Sequence, residues 1–379
     1  MGRDITFLPP SLDADSSVRA NCEDRDRPYL PPRGQNHVEL WPSTVSVGGD
    51  PEYDHFMYAA MAADTHRNDF FLRAFQRSLK GLTVVDIGTG QRATLALLAL
   101  QAGARKVYAI ELLEGPAYRA AALVKELGLS DRVSVIWGDA QAIYLPEPVH
   151  ACISDNLGNI GGAEGWDLLL HAARHLVKPG GLFIPGRCQT LVAGVQMPRS
   201  LVNNPRFNPV ARYYAGRLFE RAGYRFDLRL AISGLQRSMI NSTADVFEEI
   251  NFNAEPVHES RGEIVLTILR DSMLDGFALW VRVETIPGET FESIDKSTAS
   301  WMPVYFPVFD PPISVRAGDI IRATASSNLA DDRINRDYHL AGTVCANSKP
   351  AVEFQHSSYC YKPAVSANSF YRRLLRNVW

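Results

Sequence analysis

Two carboxylates, Asp155 and Glu164, stand nine positions apart in SDNLGNIGGAE, with a glycine-rich loop between them. Such a pair at random is two solvated surface charges. Just beyond the carboxyl end of a sheet strand, where open α/β folds bind ligands, it is a candidate site. Upstream, VVDIGTG (84–90) contains Asp86 and places Gly88 and Gly90 where a strand gives way to a helix. Glycine there lets the backbone approach a ligand closely. Glu111 ends the next strand and can accept both hydroxyls of a ribose. Asp139, followed by Ala140 in WGDAQ, ends a third strand and is placed to read an adenine amino group. Together these residues describe an adenosine site. A dinucleotide enzyme would add the third glycine of GxGxxG, but GTGQRATL lacks it.

The elements that must position these residues are legible in the hydrophobic pattern. Residues 1–50 are rich in Pro, Gly, Asp and Arg without a sustained period and read as an extended arm, a possible lid. Tyr53 to Leu79 has helical spacing and ends at Lys80-Gly81. Strands are expected at 82–88, 106–112, 132–139, 150–155 and 182–186, with helices at 94–102, 117–127 and 166–176 between them. That alternation predicts an α/β parallel, doubly wound sheet with helices on both faces. After Arg187, apart from a helix near 209–222, short alternating runs such as EIVLTIL, FALWVRVET and PVYFPV predict an antiparallel barrel or sandwich. The expected division is a lead-in at 1–50, a nucleotide-type domain at 51–187, and a barrel domain at 188–379 with an arm at about 198–242.

The chain of 379 residues suits two domains, and 46% hydrophobic residues are ample for a core without staples. A net charge of −3 gives no electrostatic footprint for nucleic acid or an anionic membrane. No apolar run approaches the ~18–20 residues of a membrane span, and MGRDITFLPP lacks the apolar core of a secretory signal. A cytoplasmic location is expected. Cys22, Cys152, Cys188, Cys345 and Cys360 are scattered without zinc-ligand spacing, so no metal is expected. Arginine outnumbers lysine 32 to 7, a bias of GC-rich genomes that leans towards a bacterial source. The myristoylation-like start (Met1-Gly2, Thr6) and the sequon at Asn241 are short enough to arise by chance.

VDIGTG, an acid on the second strand and GD on the third resemble a class I S-adenosylmethionine-dependent methyltransferase, although glycine is usual where Gln91 or Arg92 stands. MAADTHRN (61–68), SDNLGNIGGAE (154–164), KPGGLFIPG (178–186) and SWMPVYFPVFDPPISVRAGDII (300–321) narrow the resemblance to the protein arginine methyltransferases. It covers roughly 53–325. It implies that Arg67 pairs with the cofactor carboxylate, that Asp86, Gly88, Gly90, Glu111, Asp139 and Ala140 complete the cofactor site, and that Met61 crowds a guanidine pocket. Asp155 and Glu164 match the family's pair of glutamates, with Asp155 one methylene shorter. Ser300 and Trp301 match the Ser-Trp of the symmetric-dimethylating branch, where most members carry His-Trp. Asp155, Glu164 and Ser300 are therefore the expected catalytic residues, with Met61 and Trp301 at the substrate.

The chemistry suits the residues. A guanidinium has a pKa above 12 and is a poor nucleophile; two carboxylates fix it in line and draw positive charge onto the nitrogens that do not react. The expected reaction is methyl transfer from S-adenosylmethionine to an arginine guanidine nitrogen, with free L-arginine favoured over peptide. Alternatives are another amine or hydroxyl acceptor and a silent methyltransferase-fold scaffold. The resemblance also implies a homodimer, and the insert carrying Arg212, Tyr213, Tyr214, Phe219 and Tyr224 has the composition of an interface.

Overall fold

The computed structural model describes residues 37–43, 61–295, 300–345, 350–360, 362 and 368–378. Its first described strand, β1 (Glu39–Pro42), falls inside the segment expected to be an irregular arm. It pairs antiparallel with a barrel strand at 230–233, so part of the lead-in is an edge of the second domain's sheet. Val38, Leu40 and Trp41 are buried there, which four apolar-alternating residues in a Pro-rich context did not announce. The lid expected of this lead-in and the myristoylation-like start lie outside the described residues.

Helix α1 (Thr65–Ser78) starts at Asp64, whose carboxylate accepts from the Arg67 backbone amide at 3.2 Å. Its buried side chains, Arg67, Phe70, Phe71, Ala74 and Phe75, fall on one stripe at i, i+3, i+4, i+7 and i+8. Each phenylalanine so buried stabilises the fold by roughly 3 kcal/mol. Arg67 is the charged exception on that apolar stripe. The helix expected from Tyr53 is interrupted at Ala63-Asp64, and residues 53–60 lie outside the described set.

The parallel sheet follows: β2 (Thr83–Ile87), β3 (Lys106–Glu111), β4 (Val133–Trp137), β5 (Val149–Ser154) and β6 (Val177–Ile184), in the order β4-β3-β2-β5-β6. Helices α2 (Thr94–Gln101), α3 (Glu114–Glu126) and α4 (Trp166–Ala172) connect them. β2 is buried along its whole length, as a central parallel strand covered on both faces must be. The order reverses between β2 and β3 on one side and β5 on the other. That switch point is where open α/β sheets bind ligands.

The second half is antiparallel. Strands β7 (Arg187–Val195), β8 (Leu230–Ser233) and β9 (Ile240–Asn251) are joined by β12 (Gly276–Ile286), β13 (Glu289–Glu292) and β14 (Val304–Pro307) in a seven-stranded sheet that includes β1. β10 (Glu259–Thr267), β16 (Ile320–Leu329), β17 (Arg336–Cys345) and β18 (Val352–Ser358) form a four-stranded sheet, and β11 (Ser272–Leu274) pairs with β15 (Ile313–Val315). Between β7 and β8, α5 (Arg199–Asn203) and α6 (Pro209–Ala222) pack Val202, Ala211, Ala215, Leu218 and Phe219 on the barrel's own core, beside α7 (Ser369–Leu374). Phe219 is therefore a core residue, whereas Arg212 and Tyr213 on the same helix are exposed. Asn241 of the chance sequon is fully buried, donating to Ser272 Oγ and to the Met273 carbonyl.

Candidate functional site

A cavity of about 530 Å³ opens at the carboxyl edge of the parallel sheet. That size falls within the range of small-molecule sites. The turn after β2 forms one wall. Gly88 (φ +74°) and Gly90 (φ +66°) take the left-handed conformation, and a Cβ on Gly88 would overlap the side-chain amide of Asn156. Close backbone approach is thus the reason glycine stands there. The Gly90 amide donates to Glu111 Oε2 at 2.8 Å, and the Leu113 amide to Glu111 Oε1 at 3.0 Å. Each oxygen keeps a lone pair for a further donor, which suits the two hydroxyls of a ribose. Burial raises the Glu111 pKa, against the pull of these amides. Asp139 and Ala140 line the same cavity, Asp139 accepting from the Gln141 amide at 2.9 Å.

Asp155 follows β5 into the cavity wall. Its Oδ2 is 2.7 Å from Arg67 Nη1 in an ion pair with both side chains nearly buried. Burial raises the Asp155 carboxyl pKa, whereas Arg67 and a hydrogen bond from Trp301 oppose the shift. Its Oδ1 is buried and accepts no hydrogen bond. A carboxylate with one oxygen clamped and the other available is suited to a cationic donor such as a guanidinium. Glu164, half-buried, lines the same cavity, as do Met61 and Arg67. Arg67 does not stand alone for a cofactor carboxylate. Its Nη1 holds Asp155, while Nε and Nη2 both donate to Asn68 Oδ1, at 3.3 and 3.1 Å.

The loop between the two acids owes two of its glycines, Gly161 and Gly162, to the barrel. The Gly161 amide donates to Thr190 Oγ1, and the Gly162 amide to Glu248 Oε2, each at 3.0 Å. A Cβ at Gly161 would press on Cys188 Sγ, and one at Gly162 on Glu248 Oε1. Glu248 in turn accepts from Tyr338, and burial raises its pKa. The hairpin is thus set by β7, β9 and β17.

Three expected site residues stand behind the cavity rather than in its wall. Asp86 is fully buried beneath the glycine turn, where its Oδ2 accepts from Thr89 Oγ1 at 2.6 Å, and burial pushes its carboxyl pKa up to about 7. Ser300 donates to Asp64 Oδ2 at 3.1 Å, one step removed from Arg67. Trp301 packs on Phe71 and Phe291 with ring centroids 6.2 and 5.6 Å away. Each has its own partners there, Thr89 for Asp86, Asp64 for Ser300 and aromatic rings for Trp301, because a motif match fixes position in the chain, not the direction of a side chain.

Residues the motifs did not single out also line the cavity: Arg92, Asn156 and Trp166, and from the barrel Arg333, Ile334 and Asn335. Gln91, at a position where glycine was expected, is buried with its Oε1 accepting from Arg119 Nε of α3 at 2.5 Å. Its side chain turns into the fold, so the substitution of glycine does not close the cavity.

No family model matches the chain. Protein arginine N-methyltransferase 6 of Xenopus laevis is 27% identical over 265 residues, 65% of this chain and 77% of that protein. An arginine N(omega)-methyltransferase of Streptomyces achromogenes subsp. streptozoticus is 27% identical over 273 residues, 69% of this chain and 73% of that protein. The solved structure of Arabidopsis thaliana protein arginine methyltransferase 10 superimposes with a TM-score of 0.68 at 22% identity, covering 82% of this chain and 98% of that one. The chain is related to the protein arginine methyltransferases and has their fold. The methyltransferase sheet followed by an antiparallel barrel, expected from the sequence, is the architecture found. Among the described residues no helix is long and apolar enough to cross a membrane.

Proposed function

We propose that this chain transfers a methyl group from S-adenosylmethionine to a terminal guanidine nitrogen of free L-arginine, as a step in making a specialised metabolite. The observation that carries it is the convergence of Asp155 and Glu164 on the cavity that also holds Gly88, Gly90 and Glu111. When bound, S-adenosylmethionine supplies an electrophilic sulfonium methyl. Glu111 would hold its ribose, Asp139 and Ala140 would border its adenine, and Arg67 and Arg92 would provide cations for its amino-acid end. Arg67 orients Asp155, whose free oxygen and the carboxylate of Glu164 grip two sides of a guanidinium. Their charge concentrates positive character on the gripped nitrogens and leaves the third its lone pair. Fixing that nitrogen in line converts a bimolecular step into an intramolecular one.

The Streptomyces relative is named for arginine rather than for a protein, which supports a small acceptor. The experiment is mass spectrometry of free L-arginine and of an arginine-containing peptide in competition, each with enzyme and cofactor. Methylated free arginine is the expected product. A peptide turned over far faster at equal concentration overturns the small-molecule reading. The exposed Arg212 and Tyr213 of α6 support a homodimer through this arm. Light scattering at micromolar concentration is expected to give twice the chain mass.

A further inference from the structure

The barrel contributes to the cavity through the turn joining β16 to β17, and this turn is rigidly built. The Ala330 amide donates to the Asn335 carbonyl at 2.8 Å, and the Arg333 amide to the Ala330 carbonyl at 3.0 Å. Asp332 Oδ1 accepts from the Ile334 and Asn335 amides, both at 2.9 Å, and its Oδ2 accepts from Asn335 Nδ2 at 2.6 Å. Immediately after the turn, Arg336 is buried and paired to Asp167 of α4 at 2.8 Å. The turn abuts the acid hairpin directly: a Cβ on Gly165 (φ +64°) would overlap the Ile334 carbonyl. Gly165 is the neighbour of Glu164, so the turn is fixed beside the acid expected to grip the acceptor.

At the tip stands Arg333, with φ +58°, a left-handed backbone that side-chain-bearing residues adopt at a cost. It is exposed, it lines the cavity, and among the described residues it forms no ion pair. The other lining arginines have different stations. Arg67 is tied to Asp155, and Arg92 belongs to the glycine turn on the cofactor side. Arg333 is a cation held on a left-handed backbone in the cavity wall, one residue from Ile334, whose carbonyl abuts Gly165, the neighbour of Glu164.

We propose that Arg333 binds the α-carboxylate of a free amino-acid substrate, so that Glu164 and Arg333 together measure a zwitterion with a guanidinium at one end and a carboxylate at the other. This rests on the reading of arginine as the acceptor. A residue within a peptide presents a neutral amide at that place, so the same arginine discriminates against it. Planar guanidinium and carboxylate meet through two parallel hydrogen bonds, and the rigid turn lowers the ordering cost of that contact.

The test compares L-arginine with agmatine, its decarboxylated analogue, by calorimetric titration into enzyme saturated with S-adenosylhomocysteine, and by turnover with S-adenosylmethionine. Arg333→Gly keeps the left-handed backbone and removes the cation, and Arg333→Lys keeps the charge without the fork. The wild type is expected to prefer L-arginine about tenfold or more, the worth of one charge-assisted contact. In Arg333→Gly the L-arginine Kd rises about 10- to 100-fold, agmatine stays within about twofold, and S-adenosylhomocysteine affinity is unchanged. Arg333→Lys falls between. Equal losses for both ligands, no loss for L-arginine, or weakened S-adenosylhomocysteine binding overturns the proposal. If the wild type methylates arginine while Arg333→Gly changes nothing, the inference alone fails. If the wild type methylates neither guanidine, the acceptor reading fails with it.

Discussion

The two halves of the cavity are built in different ways. On the cofactor side, Gly88, Gly90, Glu111 and Asp139 sit at the ends of neighbouring parallel strands, and the backbone amides of Gly90, after the adjacent strand, and of Leu113 hold Glu111. On the acceptor side, the positions of Asp155 and Glu164 depend on partners far along the chain: Arg67 on α1, Thr190 and Glu248 on the barrel, and the turn at 330–335. The first half is local and repeats wherever this sheet forms. The second needs both sheets docked, so its geometry can differ between relatives that share the first. The acceptor side is therefore where specificity can be rebuilt without disturbing the cofactor.

If that contrast is right, substitutions in the two halves leave opposite kinetic signatures. Glu164→Gln keeps size and removes charge; kcat/KM for arginine is expected to fall by about two orders of magnitude or more, with S-adenosylhomocysteine affinity unchanged. Glu111→Gln is expected to weaken S-adenosylhomocysteine about tenfold or more, while kcat at saturating cofactor stays within about threefold. A Glu164→Gln enzyme retaining over a third of its activity removes Glu164 from the site. Loss of both properties in either variant erases the contrast.

Ser300 sharpens the comparison, because its hydroxyl donates to Asp64, the cap of α1, which binds the Arg67 amide, and Arg67 in turn pairs with Asp155. On that geometry the expected role of Ser300 is positioning. Ser300→Ala is expected to lower kcat by less than about tenfold, the cost of one neutral hydrogen bond, with the KM for S-adenosylmethionine little changed. A loss as large as that of Glu164→Gln would place Ser300 at the reacting atoms.

The smallest effect belongs to Asp86. Its folded-state pKa, about 7 against an ordinary 3.8, means that the folded state retains a proton the unfolded chain has released. The stability this group contributes is complete below its ordinary pKa, is lost progressively as pH rises from about 4 to about 7, and then levels off. Asp86→Asn is expected to flatten that part of the Tm profile and to leave S-adenosylhomocysteine affinity within about threefold. A larger loss of affinity would give Asp86 a direct role in the cavity.

Much of the fold was legible because its signals are local. A strand buried on both faces reads as a continuous apolar run, as VVDI does. A helix with one buried stripe reads as a 3.6-residue period, and Pro209–Ala222 emerged with the bounds the sequence suggested. Strand β1 was missed since a four-residue edge strand in a proline-rich stretch has too few positions to show a period. Arg333 was missed for a different reason. Nothing in ADDRINRD marks a ligand site, and the left-handed backbone at that arginine belongs to a turn closed by Asp332 between two strands.

By itself the sequence determined the order of strands and helices in the parallel sheet, the glycine turn with Glu111 and Asp139 on the next two strands, and the spacing of Asp155 and Glu164. Backbone conformation, hydrophobic period and residue chemistry are properties of short segments, and short segments carry them whatever surrounds them. Tertiary structure decided which of the marked residues line the cavity. It buried Asp86 under Thr89, set Ser300 and Trp301 behind the wall, turned Gln91 into the fold and brought Arg333 to the cavity that Glu164 lines. Those outcomes depend on close packing between segments more than 200 residues apart, as in the Ser300–Asp64 hydrogen bond with its separation of 236. Packing is a property of the assembled interior, in which a side chain goes where space, charge and hydrogen-bond partners are all satisfied at once.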